Sequence, residues 1–504
     1  MNYLSKYNQL KIEIIEQLDQ INQEISYNVL CSRLSKNMSV SSLYTLCKEL
    51  ESDIAHVYPH HNVYLKVTPS TIQLIRYSST LLYLYHAIFS SDLSYKIIES
   101  LFYKRYFTTE DFCFKQGVSL STLRRKVKDL NEFLYSYQLH ITVSSRVSLK
   151  PLTKKKNGEF NIRFYLFSFL YTVHRQVQNI QWIRDNDKLQ DLQKRIFMEL
   201  GIEFTEGTTD AILLWLYVIQ VSALNNHSLH FSEDEYLLID QLGFSKKPDY
   251  LITWTNEDWY FFNIVLCSFD LTGLVINKEL MIPSEAEEIV QDIHTIWLES
   301  FEKEFHFLSA VQSKTAYRYL RKRYILQLFF PINEVTIQQF NFFNKAVFHA
   351  TYPLYYRKFQ NMWQHFENLL SKTKLKLSYF ETEALLLSIY LVPPTFSLPD
   401  FKIYILSDLG CFYEVYVREQ ISNSLKSIVN LNYVDNSVEA DLTVSLIPPP
   451  VSLGISDDAL FLLKMPISER DLLALFSLTK NLVNTRYALD GLDETSILEK
   501  ISDS

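Results

Sequence analysis

Glycine is scarce in this chain. Nine are spread over 504 residues, and no two stand close enough for G-x-G-x-x-G or a Walker loop. A phosphate cradle built from glycine backbone is thereby effectively excluded. Cysteine is scarce too. Cys31, Cys47, Cys113, Cys267 and Cys411 are odd in number, scattered, and without a C-x-x-C. Cys31, Cys47 and Cys113 sit in predicted helices and read as small core residues in a reducing cytosol rather than as metal ligands. No cofactor, metal or catalytic constellation is expected. Long apolar runs are missing as well. The most apolar segments, RFYLFSFLYTV and AILLWLYVIQVSAL, fall short of the roughly 18–20 residues that a membrane span needs. The N-terminal MNYLSKYNQLKIEIIEQL carries charges throughout, unlike a signal peptide. The expectation is a soluble, cytoplasmic protein of about three to five domains, with 47% hydrophobic residues to fill their cores.

What is present concentrates in residues 108–150, TTEDFCFKQGVSLSTLRRKVKDLNEFLYSYQLHITVSSRVSLK. A short helical pattern runs to Gln116. Gly117 follows, the residue best suited to the left-handed conformation of a tight turn. Ser119 can cap a second helix. In that helix Leu120, Leu123, Val127, Leu130 and Leu134 recur at three- and four-residue spacing, giving one apolar face. The opposite face carries Ser121, Thr122, Arg124, Arg125 and Lys128. LHITV and RVSLK then alternate as strands, with Arg146 in the second. The order is helix, turn, helix, β-wing, which would place a basic helix in a DNA major groove and the wing beside the backbone.

A shift of 80 residues brings NMSVSSLYTLCKELE (37–51) onto GVSLSTLRRKVKDLN (117–131). Asn37 falls on Gly117, and Asn is the next-best left-handed residue. Ser39 falls on Ser119, Leu43 on Leu123, Lys48 on Lys128, Glu49 on Asp129 and Leu50 on Leu130. NVYLKV and TIQLIR supply a wing-like hairpin here too. Two tandem winged helix-turn-helix units are expected. The first offers Ser41, Ser42, Thr45 and Lys48 as a weaker DNA face. Charge is divided accordingly. The chain carries −8 overall, but residues 1–156 hold 20 Lys+Arg against 13 Asp+Glu, a net of +7, and the remainder has −15. A basic head on an acidic body is the pattern of a DNA-binding part joined to a regulatory part.

KPLTKKKNGE (150–159) is a basic, polar break. From 160 to about 392 long apolar helices follow, which belong inside bundles. A break near 277–288 divides them into two halves. After VPPTFSLPD (392–400) the pattern becomes α/β: KIYIL, IVNLNYV, DLTVSLI and ALFLLKM as strands, GCFYEVYVREQISNSL and SERDLLALFSLTKNLV as helices. The fold class is therefore mainly α and multidomain, with a C-terminal α/β unit. The expected boundaries are 1–76 and 77–157 for the two winged helices, 158–280 and 281–397 for the bundles, 398–490 for the α/β domain, and 491–504 for an acidic tail.

This order of parts, with GVSLSTLRRKVKDL, GEFNIRFYLFSFLY and KIYILSDLGCFYEVYVREQI, resembles the Mga family of Gram-positive virulence regulators, which includes the AtxA and RofA types. The resemblance covers essentially the full length. It implies a DNA-binding transcriptional regulator that forms a homodimer on double-stranded promoter DNA and controls virulence or metabolic genes. It implies bundles like phosphotransferase regulatory domains (PRDs) and a last domain like enzyme IIB. It also implies a response to sugar status through a phosphocarrier protein and histidine. The positions where relatives would carry that histidine fall near Asp210 and Tyr390. Of the remaining bundle histidines, His227 and His230 in NNHSLHF are the most accessible candidates. The C-x-x-G of true IIB enzymes reads Ser407-Asp408-Leu409-Gly410, and a serine hydroxyl has no thiolate to offer. Phosphotransfer by that domain is expected to be lost. Phe412, Tyr413 and Tyr416 are either core residues or an interface. The rival readings are an RNA-binding antiterminator that shares the bundles, a phosphocarrier or enzyme, and a scaffold that no longer binds DNA.

Overall fold

The helical periodicities of the N-terminal third become helices whose ends carry their own start and stop signals. In the computed structural model, α1 (Lys6–Ile21), β1 (Ile25–Ser26), α2 (Tyr27–Arg33), α3 (Val40–Val57), β2 (Val63–Val67) and β3 (Thr71–Arg76) form a first group. Two helices follow, α4 (Leu82–Ser91) and α5 (Leu93–Phe102). The same element order then repeats: β4 (Tyr106–Thr108), α6 (Thr109–Gln116), α7 (Leu120–Leu134), β5 (Leu139–Val143) and β6 (Arg146–Pro151). The sheets repeat as well, with orders β1-β3-β2 and β4-β6-β5, antiparallel throughout. Described residues run from 4 to 487, apart from 22, 36–37, 78, 153–157, 181, 184–185, 202–208, 269–283, 330–344, 374, 376–380 and 449–456. Asn37, most of the 277–288 break and the acidic tail lie outside them.

The repeat of 80 residues holds at the level of single side chains. Ser39 caps α3 by accepting from the Ser42 amide, and Ser119 caps α7 by accepting from the Thr122 amide. Leu43, Cys47, Leu50 and Ile54 line the buried face of α3. Leu123, Val127, Leu130 and Leu134 line that of α7. Leu120 departs from the expected apolar face, for it is 41% exposed. It sits in the first turn, where the helix has not yet reached its sheet. The short strands β1 and β4 were not legible as periodicity. Two or three residues show no alternation, and their partners β3 and β6 lie some 40 residues away.

The chain folds as two units, residues 1–287 with 322–341, and residues 288–321 with 342–504. In the first, the bundle consists of α8 (Gly158–His174), α9 (Asn186–Leu200), α10 (Thr209–Leu224), α11 (Glu233–Leu242) and α12 (Asn256–Ser268). α8 has 13 of its 17 residues buried. Trp215 of α10 stacks on Phe167 at 4.0 Å. The rings of Phe164 and Tyr165 meet Tyr137, at the foot of α7, at 5.7 and 5.1 Å. Residues 150–159 therefore mark a change of charge, while the apolar core continues from the second winged group straight into the bundle.

The second unit takes most of α13 (Ser284–Glu304) and the first part of α14 (Ala310–Phe329), with α15 (Lys345–Thr351), α16 (Pro353–Ser371) and α17 (Glu381–Leu391). Trp297, Phe301, Phe305 and Tyr355 form a column of rings. The α/β part follows with β7 (Asp400–Leu406), α18 (Cys411–Leu425), β8 (Asn430–Val434), β9 (Leu442–Ser445), β10 (Leu460–Leu462) and α19 (Glu469–Tyr487). Its sheet runs β10-β9-β7-β8, all parallel. Every residue of β9 is buried, as a central parallel strand covered on both faces requires. Phe412, Tyr413 and Tyr416 are exposed on α18, so they are not core residues of this domain.

The face assignment of α7 can be tested directly. Leu130→Ala removes a fully buried side chain and should cost about 2–5 kcal/mol. Leu120→Ala should stay within about 0.5 kcal/mol of the parent. Denaturation of the purified chain followed by circular dichroism should rank the two in that order.

Candidate nucleic-acid interface

α7 owes its placement to the turn before it. Gly117 adopts φ +64°, a left-handed conformation that a Cβ would strain. The amides of Gly117 and Val118 return to the carbonyls of Phe114 and Cys113 at 3.3 and 3.0 Å, closing α6. Ser119 Oγ then accepts from the Thr122 amide at 3.1 Å. With its leucines inward, α7 turns Ser121, Arg124, Arg125 and Lys128 to solvent, while Thr122 is half-buried. No carboxylate pairs with Arg124, Arg125 or Lys128 among the described residues. The fourth cation, Lys126, points the other way, 3.7 Å from Asp92.

The wing is fixed to this helix by specific bonds. Asn131 brackets β5, donating to the Ile141 carbonyl at 2.9 Å and accepting from the Ile141 amide at 2.6 Å. At the hairpin tip, Thr109 donates its amide to the Ser145 carbonyl and its hydroxyl to the Ser144 carbonyl. Arg146 is exposed and lies over the Tyr106 ring at 5.0 Å. Asp92 ties the head together. It caps α5 through the Ser94 amide and accepts from the Ser5 amide and Asn8 Nδ2 at 2.8–2.9 Å. Burial alone would raise its pKa, but the bonds from Ser5 and Ser94 and the charge of Lys126 hold it below the usual value.

The equivalent face of α3 differs in charge. Ser41, Ser42, Thr45 and Lys48 are exposed, yet Lys48 is paired with Glu51 at 2.7 Å. Thr45 spends its hydroxyl on the Ser41 carbonyl. Glu49 accepts from the Tyr7 hydroxyl, and Asp53 holds Lys11 at 2.7 Å. Residues 1–76 contain seven basic and seven acidic side chains, whereas 77–156 contain 13 and six. The positive excess of the head therefore lies wholly in its second half.

Behind the second group sits a buried ionic network. Arg105, in a left-handed turn just before β4, bonds Glu159 at 3.0 Å and the Ser222 hydroxyl at 2.7 Å, and also donates to the Phe102 carbonyl. Arg163 is fully buried. It reaches Glu159 at 3.2 Å, Asp258 at 2.7 Å and the His227 carbonyl at 2.9 Å. His227 is drawn into this network, its Nε2 lying 3.0 Å from the Tyr103 carbonyl. Burial first, and the charge of Arg105 second, lower its pKa. The expected accessibility of the NNHSLHF turn thus splits: His227 is half-buried and engaged, while His230 is exposed. In the second unit, Ser407 Oγ at the end of β7 accepts from the Leu409 amide at 2.9 Å, and Cys411 is exposed at the start of α18. Asp210 is half-buried, holding Gln176 at 3.1 Å, and Tyr390 is exposed.

Among the described residues, no cluster of His, Cys, Asp and Glu is placed to hold a metal. None of their helices is long and apolar enough to cross a membrane. A capped basic helix whose Arg124, Arg125 and Lys128 are unpaired among the described residues, set second in a helix-turn-helix and flanked by a hairpin, has the form of a DNA-binding helix-turn-helix domain. Residues 77–170 match the Mga helix-turn-helix domain, and this segment is a domain of that family. The match ends inside α8, in keeping with the core that continues past residue 157. No curated protein matches the chain.

His174 makes the head sensitive to acid. It is buried beside His86, with ring centroids 4.7 Å apart, and its Nε2 meets the Tyr95 hydroxyl at 2.9 Å. Burial first, and His86 second, press its pKa down to about 3. In an unfolded chain it would titrate near 6.5, so its contribution is intact above that pH and lost as pH falls from about 6.5 toward about 3. Between pH 7 and 5 this group alone should remove about 2 kcal/mol. Urea titrations of the parent and of His174→Gln should show a shallower acid slope in the variant.

Proposed function

We propose that the chain regulates transcription by reading promoter DNA through the second of two tandem winged helix-turn-helix units. Arg124, Arg125 and Lys128 of α7 enter the major groove, with Ser121 and the Ser119 end of the helix against phosphate. Arg146 on the wing approaches the adjacent backbone. The single observation that carries this reading is the set of unpaired cations on α7, opposite a fully buried leucine face. The first helix-turn-helix, through Ser41, Ser42, Thr45 and Lys48, contributes positioning. Its one exposed recognition-helix cation is already neutralised by Glu51.

The helical bundles act as PRD-like regulatory domains and the parallel α/β part as an IIB-like domain without phosphotransfer. The genes controlled belong to virulence or metabolism. His230 is the acceptor open to a phosphotransferase phosphocarrier, since the ring of His227 is already engaged. The protein works as a homodimer. Phe412, Tyr413 and Tyr416, 88%, 64% and 52% exposed, support an interface on α18. Two linked heads then raise affinity through effective concentration.

Arg124→Ala with Arg125→Ala should cost roughly 2–4 kcal/mol of DNA binding and flatten its salt dependence. Ser41→Ala with Thr45→Ala should cost clearly less. Fluorescence anisotropy with the chain's own upstream DNA, across salt, decides it; the reverse ranking in folded variants removes α7 from the interface.

Assembly is tested separately. Light scattering at micromolar concentration should give a dimer for the parent. Phe412→Ser with Tyr413→Ser and Tyr416→Ser should shift it toward monomer. A dimer unchanged by these substitutions places the interface elsewhere.

A further inference from the structure

The first unit contains a cavity of about 790 Å³, within the range of roughly 300–1,000 Å³ typical of small-molecule sites. One wall is made by α4 and α5, which lead into the second winged group. The other is made by α10, by Leu189 of α9, and by the segment at Trp182 and Ile183. Its lining has a consistent chemistry. Trp182 packs against Tyr103 and Tyr217 with ring centroids at 5.8 and 5.9 Å. The polar ends of these rings are spent inside the protein. The Tyr103 and Tyr217 hydroxyls bond each other at 2.9 Å, and Trp182 Nε1 donates to the Tyr95 hydroxyl at 3.1 Å. Ring faces and aliphatic groups, including Val221 and Leu224, are what the cavity has left to offer.

Charge at the rim is balanced. Lys96 and Glu99 pair with each other at 3.3 Å, so neither presents an unmatched charge. Burial first, and the nearby Lys96 second, lower the pKa of His86. Gln220 uses its oxygen to accept from Trp254 Nε1 at 2.7 Å and turns its amide nitrogen toward Thr253 at 3.4 Å, a long bond. An ionic ligand would have to break the Lys96–Glu99 pair and shed its hydration beside aromatic rings, a cost that nothing in the lining offsets. A flat, uncharged ligand loses little hydration and can lie along one ring face while meeting the others edge-on, since the Trp182 plane is tilted 69° from Tyr103 and 55° from Tyr217.

We propose that this cavity is a binding site for an uncharged, flat, ring-bearing small molecule, seated on Trp182, Tyr103 and Tyr217 with its polar edge toward the Lys96–Glu99 rim. The site is independent of the DNA-binding reading, because its occupancy is read without DNA.

The probe is N-phenyl-1-naphthylamine, uncharged and bicyclic, titrated into the full chain. Saturable, blue-shifted emission at one probe per chain is expected, with 1-anilinonaphthalene-8-sulfonate, its anionic counterpart, weaker by at least about tenfold. Leu224→Trp and Ser90→Trp, which fill the cavity from two sides, should each weaken the probe by at least about tenfold. Phe307→Ser, at a ring 82% exposed in the second unit, should leave it unchanged. A second readout needs no variant: bound probe should slow reductive methylation of Lys96, followed by peptide mass spectrometry, more than that of Lys128. No saturable binding overturns the proposal. So does binding that survives both filled variants, is lost in the Phe307 variant, is matched by the anionic probe, or leaves Lys96 as reactive as before.

Discussion

A helix that is buried nearly all round needs neighbours on every side, and its polar groups must find their partners there. α8 is such a helix, and much of the first unit is the sheath. α10 and α12 cover it from the bundle side, and the foot of α7 covers it from the head. Its one fully buried cation, Arg163, is tolerable only because Glu159, Asp258 and the His227 carbonyl surround it. Removing either carboxylate would leave an uncompensated buried charge. Arg105 shares Glu159 with Arg163, so the same carboxylate that neutralises the bundle also anchors the turn that opens β4. The winged group at 106–151 is thus held to the bundle by packing and by charge together.

That arrangement explains why chemistry and core do not change at the same residue. The surface switches from basic to acidic near residue 156, but the buried aromatic contacts of Tyr137 with Phe164 and Tyr165 pass through that point. Charge is a property of the exposed atoms and says little about where a core ends. The reach of the Mga helix-turn-helix match into α8 follows the core and not the charge.

The helix-turn-helix was legible in the sequence because each of its signals is local. Gly117, Ser119 and the three-four spacing of leucines act within a few residues of themselves. The order of strands and helices in the C-terminal part was legible for the same reason. What could not be read depends on distant partners. β4 exists because β6 lies beside it, and Leu120 is exposed because the sheet stops short of the first turn of α7. His227 looked accessible in a polar turn, yet its ring is claimed by the Tyr103 carbonyl, 124 residues away. The neutralisation of Lys48 by Glu51 was present in the sequence as an i,i+3 pair, and it adds to the ranking that Arg124 and Arg125 against Tyr44 and Thr45 already give.

The stacking of Arg146 on Tyr106 has a consequence for speed and selectivity. An arginine at a hairpin tip ordinarily samples many rotamers, and immobilising it costs about 0.5–1.5 kcal/mol when a partner arrives. Resting on a ring face, this guanidinium is already partly ordered and partly dehydrated before any encounter. One face of the guanidinium is shielded by the ring, so an anion approaches from the open side. Lysine at this position would keep the charge but give up that shielded face, because a spherical, strongly hydrated ammonium has no plane to lay on the ring. The wing therefore carries a directional probe, where an unstacked arginine would carry only a charge.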